Sequence, residues 1–483
     1  MKKAFQLLIY AMVVKYQQSF GLFDMSNSLI APNTKKFVAL RKGPQKIERH
    51  GYNMKIAVIG AGQRGMIYAE YANTYSDVEI NAIVDPSKER RAYAAERLNL
   101  SSKMLFDNVD SFFQQGKLAD AVIIASMDRD HYKQTMRALE CGYHILLEKP
   151  ISPNPKECME IMEHANAKGL NVIVCHVLRY TNFFTTIKSI LDSRELGDVI
   201  TIEHSENIGN FHMAHSFVRG NWRRTDLSSP LIMQKSCHDM DILAWLVGSD
   251  AKRISSFGNL TYFKEANAPE NSGVRCLNCA AAEDCRFDAR KVYLPILGEW
   301  PATQLSTLQT EEGLLAAMED GPYGRCVYRC DNDVCDNQVT LIEFQNGVTA
   351  SFNLSAFTNK ISRTIKIMCE HGEIKGDDYL NTIEITHFSP NAVETFEKKT
   401  IYPGTVSGGH GGGDLGLTTD FIKLLRTNSG SSRSSITKSV ESHMMAYAAE
   451  QSRISGQIID VENLKTEMKS LIKNECKECG DSK

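Results

Sequence analysis

The chain has 483 residues, 42% of them hydrophobic and 23% charged, a composition of soluble globular domains that excludes a wholly disordered chain, a collagen-like fibre and a small disulfide scaffold. At roughly 150 residues per domain the length suggests about three domains. Lys and Arg number 55 against 58 Asp and Glu, a net charge of −3, so no nucleic-acid partner is expected.

Residues 1–53 read as an N-terminal extension outside the fold. Lys2 and Lys3 precede an apolar stretch over 4–14, a rough imitation of a signal peptide, but no small-x-small cleavage site follows. No apolar run reaches the ~18 to 20 residues of a membrane span, so no membrane partner is expected either. From residue 55 short apolar runs alternate with amphipathic stretches. Strands are expected over 55–59, 79–85, 121–125, 144–147 and 171–175, and helices over 65–74, 88–98, 130–141 and 155–168. Strands alternating with helices imply βαβ units and a doubly wound parallel sheet over 54–175.

After residue 176 strands predominate, over 199–207, 253–261, 338–344, 348–353, 363–369 and 382–387. That texture predicts a second, α+β domain over 176–460 on a large mixed, mostly antiparallel sheet. Residues 265–335 interrupt it with turns and clustered cysteines. Helices over 417–426 and 436–457 are expected to close this domain, and 461–483 reads as a loosely held polar tail.

The first functional signal is Gly60-Ala61-Gly62-Gln63-Arg64-Gly65, a G-x-G-x-x-G between a strand and a helix. The first glycine permits the tight turn, the second lets the backbone approach a pyrophosphate, and the third lets helix and strand pack closely. The helix N-terminus adds donors for the phosphates. Asp85, twenty residues after Gly65, suits a ribose hydroxyl pair and repels a 2′-phosphate, which favours NAD over NADP. Arg90 and Arg91 beside it pull the other way.

Glu148-Lys149-Pro150 follows the 144–147 strand at the end of the sheet where doubly wound folds bind ligands. A lysine there can donate to a substrate oxygen and stabilise charge on it. Together with the glycine loop, Asp85, Ala125-Ser126-Met127-Asp128-Arg129-Asp130-His131 and the stretch Lys235 to Leu246, these residues resemble the Gfo/Idh/MocA family over 54–457. The resemblance implies an N-terminal Rossmann domain, a nicotinamide cofactor, and action on sugars, cyclitols or related polyols. It implies Lys149 and His238 as catalytic residues. It adds Gln63, Arg64, Ser126, His131 and Glu148 to Gly60, Gly62, Gly65, Asp85 and Lys149 as cofactor contacts. Family members often associate through the open face of the second sheet, so a homo-oligomer is expected. Many also carry an aspartate four residues before the histidine, where this chain has Gln234. Lys235, a carboxylate elsewhere, or Lys149 and His238 alone then take over the acid–base work.

Polar and aromatic residues crowd 204–224 and follow the last Rossmann strand, enough to bind several hydroxyls and to stack on a sugar face. His176, Arg179, Tyr180, His215, Arg219, Trp222, Lys235 and His238 are the expected substrate contacts. Gly408 to Asp414 is a further glycine-rich turn, open to either a ligand or a helix cap.

Thirteen cysteines are an odd number for a pure disulfide framework, and their clustering suggests a metal site in a reducing compartment, the cytoplasm. Cys276-x2-Cys279-x5-Cys285, with Cys326 and Cys330 forty and more residues on, could supply four thiolates. Zinc is the first expectation and an iron–sulfur cluster the second. Two alternative functions stay open on the same residues. One is redox-neutral glycoside cleavage or elimination with tightly held, recycled NAD. The other is a non-enzymatic dinucleotide-sensing protein.

Overall fold

The computed structural model describes residues 53–389, 391, 397–404, 409–427 and 432–480; the expected extension lies outside them but for Asn53. The first half alternates β1 (Met54–Ile59), α1 (Gln63–Ala72), β2 (Val78–Val84), α2 (Lys88–Leu98), β3 (Leu105–Phe106), α3 (Val109–Phe113), β4 (Ala121–Ile124), α4 (His131–Glu140), β5 (His144–Leu147), α5 (Pro155–Lys168) and β6 (Val172–Val174). These strands form one parallel sheet in the order β3-β2-β1-β4-β5-β6. All four residues of β4 are buried, as expected of a strand covered on both faces. Helix starts follow their capping chemistry: Ser87, Asn108 and Asn154 accept from Arg90, Ser111 and Lys156 amides. The sheet reverses direction of growth between β1 and β4, which opens a crevice above their C-terminal ends.

The second half forms a nine-stranded sheet from β7 (Val199–Asn207), β8 (Ala251–Asn259), β9 (Asn337–Phe344), β10 (Thr349–Ser355), β11 (Ser362–Cys369), β12 (Gly372–Asp377), β13 (Thr382–His387), β14 (Lys398–Ile401) and β15 (Ile459–Asp460). Its order is β14-β13-β12-β11-β7-β10-β9-β8-β15, and only β7 and β10 pair in parallel. Burial alternates along β9 and β11, the period of a sheet with one covered face. Helices α6 (Asn182–Asp192), α7 (Leu231–Gln234) and α8 (Cys237–Val247) fall between β6 and β8 along the chain. The cysteine-rich region carries α9 (Ala289–Tyr293) and α10 (Glu311–Asp320) among short turns, and α11 (Gly413–Thr427), α12 (Ile436–Ser455) and α13 (Val461–Gly480) follow.

Two expectations about the C-terminus are corrected. The first of the closing helices, α11, packs on the Rossmann layer: Leu417, Phe421 and Ile422 join the core of Val58, Tyr68 and Ile80. The tail is not loose. Val461, Leu464, Met468 and Ile472 are buried in the main core, and their spacing of three and four is a helical stripe. Polar residues around that stripe mask it in the sequence. β12, β14, β15 and α6 were not anticipated. No helix among the described residues is long and apolar enough to cross a membrane.

Candidate active site

The cofactor cradle is built by close backbone approach. Gly60 has φ +94°, and a Cβ there would lie 2.5 Å from the Ala125 carbonyl oxygen. A Cβ on Gly65 would lie 2.0 Å from the Gly60 oxygen, so the loop, α1 and β4 pack only because both are glycine. Gly62 caps α1 with no side-chain hydrogen bond, and no acid occupies the first turn. The helix therefore leaves its N–H groups and positive end for an anion. A Cβ on Gly62 would meet only Arg90, at 3.9 Å, and Gln63 is exposed beside it. Asp85 is buried at the end of β2, accepting from the Ala61 amide (2.9 Å) and the Ser87 amide (2.9 Å). Arg90 is mostly exposed, 3.8 Å from Asp85. Uncapped helix, open glycine and buried acid fit a dinucleotide.

Several expected cofactor contacts are committed to the protein instead. Arg64 pairs with Glu148 (2.8 Å) and Asp414 (2.6 Å), and bonds Tyr68. Tyr68 donates to Glu148 (2.8 Å), whose other oxygen accepts from the Lys149 amide (2.9 Å). Burial alone would raise the Glu148 carboxyl, but Arg64 and Lys149 hold it below its usual range. Asp414 is likewise held low by His410 and Arg64 against its burial, and through Arg64 it ties α11 to α1; Gly408 of the glycine-rich turn lies outside the described residues. His131 is buried, with ring nitrogens 2.7 Å from the Pro150 oxygen and 3.3 Å from the Ser126 oxygen. It fastens the loop after β4 to the turn after β5. The Ser126 hydroxyl donates to Gln134 (2.7 Å).

Beyond this clamp the polar groups are less fully used. Lys149 Nζ donates to the Gln234 carbonyl (2.8 Å). Its charge bears on His238, His212 and Lys235. Burial, then Lys149 and His176, push the His238 pKa well below the ordinary value, so its ring is neutral. Lys235 reaches Glu206 (3.2 Å), a buried carboxylate also paired with Arg363; burial lowers the lysine's pKa against the attraction of Glu206. Arg363 continues to Asp239 (2.8 Å), which also holds His204 (2.9 Å). Within this cluster His212 Nδ1, Gln234 Nε2, Ser236 Oγ and His238 Nδ1 are buried without a hydrogen-bond partner. Trp300 stands over it, its ring 5.0 Å from His212 and 6.0 Å from Phe211. Glu206 thus places a carboxylate beside Lys235, the residue after Gln234.

The expected substrate contacts divide. Lys235 and His238 join this cluster, and His176 lies behind it, its ring 5.7 Å from His238. Arg179 does not join: it makes a buried bidentate pair with Asp241 (2.6 and 2.8 Å). The Tyr180 hydroxyl donates to Asp420 (2.7 Å). His215 bonds Tyr293 (3.0 Å) and stacks on Tyr323. Arg219 is fully buried against the Arg325 and Phe287 carbonyls (2.7 Å each). Trp222 is part-exposed beside Phe217. Arg179, Tyr180, His215 and Arg219 have the hydrogen-bonding capacity expected of substrate contacts, and each spends it internally. His212 and Glu206 lay within the polar stretch that sequence reasoning singled out, but Trp300, from the cysteine-rich region, carried no signal.

Cys276, Cys279, Cys285 and Cys326 line one small cavity with Arg219 and Phe287. Cys330 turns aside and donates to the Cys326 carbonyl (3.2 Å). Among the described residues no group of three His, Cys, Asp or Glu closes to metal-holding geometry, and the eleven cysteines whose side chains are described are free.

The comparisons with known proteins agree with this layout. Residues 54–176 match the Gfo/Idh/MocA family's domain described as "Oxidoreductase family, NAD-binding Rossmann fold", and residues 188–461 match its "C-terminal alpha/beta domain". The chain belongs to the Gfo/Idh/MocA oxidoreductase family. It is 24% identical over 361 residues to YteT of Bacillus subtilis, a protein named only as an oxidoreductase, covering 71% of this chain and 82% of that one. Inositol 2-dehydrogenase of Corynebacterium glutamicum is 27% identical over 199 residues, covering 41% of this chain and 55% of the relative. A levoglucosan dehydrogenase solved with NADH has the same fold, with TM-score 0.63 at 17% identity, covering 85% of this chain and 99% of that one.

Proposed function

We propose that this oxidoreductase transfers a hydride between a hydroxyl-bearing carbon of a sugar, cyclitol or related polyol and NAD. The observation that carries the reading is the concentration of unpaired buried polar atoms around Lys149 and His238, at the mouth of a cradle suited to a dinucleotide. Buried polar groups are almost always satisfied; a cluster of exceptions beside two lysines suits a ligand rich in hydroxyls. NAD, when bound, supplies the hydride acceptor. Asp85 favours its ribose hydroxyls over a 2′-phosphate.

Lys149 exchanges the Gln234 carbonyl for the substrate oxygen and stabilises charge building on it. His238, kept neutral by burial and by Lys149, has an imidazole nitrogen to receive the hydroxyl proton. Lys235 and His212 bind neighbouring hydroxyls, and Glu206 holds Lys235 in place. Trp300 offers an aromatic face to the substrate's C–H surface. The relatives named inositol 2-dehydrogenase and D-glucoside 3-dehydrogenase act on substrates of this class by name. The free cysteines suit a reducing compartment such as the cytoplasm. Self-association through the second sheet is supported by Ile200, Phe257, Val339 and Leu341, exposed on β7, β8 and β9.

The test is a panel of inositols, free sugars and glycosides with NAD, followed by reduced-nicotinamide absorbance and by product analysis. NADH formed in step with substrate oxidation is the expected result. Glycoside cleavage or elimination without net NADH would replace the reading with a redox-neutral one. Ligand binding without turnover across the panel would replace it with a sensor.

A further inference from the structure

The cysteine-rich region lines one small cavity with four cysteines and a fully buried arginine, Arg219. An antiparallel bridge between Arg275 and Arg325, with the Cys326 amide bonded to the Val274 carbonyl (2.9 Å), sets Cys276 and Cys326 side by side through the backbone. The short turn Cys276–Asn278 brings Cys279 round, and Cys285 completes the wall of the cavity. Arg219 lines the same cavity with no exposed surface. Its Nη2 donates to Cys276 Sγ (3.3 Å), and Tyr293, Cys276 and Cys330 support its charge; Asp288 lines the same cavity but pairs with Arg290 (2.9 Å). The Gly273 amide donates to Cys279 Sγ (3.3 Å). Among the described residues this buried guanidinium forms no ion pair of its own, and a buried charge without one is costly.

We propose that Cys276, Cys279, Cys285 and Cys326 bind one zinc ion as a tetrathiolate, with Arg219 as its buried counter-charge. Each thiol releases its proton to solvent, four protons per ion, and four sulfur–zinc bonds form with no change of oxidation state. The site then carries two negative charges, and Arg219 offsets one. Arg219 and the Gly273 amide are the donors that thiolate sulfurs need. The cavity is small, which favours a single ion over a cluster with inorganic sulfide. The bridge and the turn fix the backbones of Cys276, Cys279 and Cys326, and zinc would draw the four thiolates inward from positions in which, among the described residues, no three close on an ion.

The ion has a structural task. A small core here consists of Cys276, Ala289, Tyr293, Ala302, Leu314 and Met318, and Phe287, Val327, Tyr328 and Val334 of the same region reach the main core; the stretch between them is mostly turns, which a bound ion would fasten. The same region delivers Trp300 to the candidate site. Arg219 ends the segment Met213–Arg219 that follows His212. Zinc would thus hold the substrate-facing wall without touching the substrate, and its presence does not depend on the reaction proposed above.

The full chain, purified without added metal, is analysed for zinc, iron and acid-labile sulfide, and by zinc-edge X-ray absorption. One zinc per chain with four sulfurs at about 2.3 Å is expected. Cys279→Ser should lower retained zinc at least tenfold, whereas Cys330→Ser should keep it. A strong chelator should lower the thermal midpoint of the wild type. Should Cys279→Ser fail to fold, the wild-type absorption spectrum still decides the ligand set. Four freely titratable thiols with no uptake of added zinc would overturn the proposal. Iron with sulfide, a disulfide within the cavity, or zinc lost from Cys330→Ser but not from Cys279→Ser would each do so as well.

Discussion

The charged groups on the two sides of the Glu148–Lys149 peptide bond are used differently. Toward α1, Arg64, Tyr68, Glu148 and Asp414 answer one another's charges and hydrogen bonds. Arg179 and Asp241 form a similar closed pair at the base of α8. Toward the second sheet, Lys149 rests on a carbonyl, Lys235 shares one carboxylate with Arg363, and four neighbouring polar atoms have no partner. Both sets are buried and both are rich in ionisable groups, so neither burial nor charge separates scaffold from site. The separating property is satisfaction. A closed set holds elements together, and an open one waits for a ligand.

Opening a closed set should cost the most. Arg179→Met leaves Asp241 buried without its partner and should lower unfolding stability by about 3–5 kcal/mol. Arg179→Met combined with Asp241→Leu should recover most of that loss. Urea denaturation of both variants checks this, and catalysis by whatever folds should be little changed. In the open set the effects reverse. Lys149→Ala should reduce kcat by about 10²–10³-fold, roughly 3–4 kcal/mol of transition-state stabilisation, with the thermal midpoint nearly unchanged.

A graded effect comes from acid. His176, His212 and His238 are held well below the ordinary 6.5, and His443 is lowered to about 3, in each case first by burial. The unfolded chain takes up protons near pH 6.5 while these folded histidines do not, so it binds more protons. Their contribution to stability is complete above pH 6.5 and is lost as pH falls below it, by at most about 1.4 kcal/mol per pH unit for each histidine. Denaturation series at stepwise pH should show that decline starting near 6.5 and weakening in His443→Gln. The smallest effect should be that of Trp300→Ala, which removes one stacking face and should raise KM about tenfold, with kcat changed less.

Much of this was legible in the sequence. Most strands of both sheets follow from their patterns, and the glycine loop and Asp85 stand at the ends of β1 and β2 as their spacing implies; Lys149 and His238 were named as catalytic residues by the family resemblance. What escaped depended on which neighbour a side chain would meet. Arg179, Tyr180, His215 and Arg219 have the chemistry of substrate contacts, but each finds its partner across |i−j| separations no local pattern encodes, Asp241 for Arg179 and Tyr293 for His215. Arg64 and Glu148, adjacent to the cofactor motifs in sequence, meet only because α1 and β5 converge. Trp300 was missed for the converse reason: it comes from a region without periodicity and reaches the site through tertiary packing alone. The helical stripe of α13 was present in the sequence and was obscured by the charges around it.

The central claim is that the open set around Lys149 performs the chemistry while the clamp beside it only holds the cradle. It is tested most directly by comparing wild type and Lys149→Ala in two readings, NAD binding by titration calorimetry and the first turnover with an active polyol by rapid-mixing absorbance. The account predicts NAD affinity within about threefold of wild type and a first turnover slowed by at least about 10². A variant that turns over at the wild-type rate would contradict it, as would one whose lost activity is explained wholly by lost NAD binding.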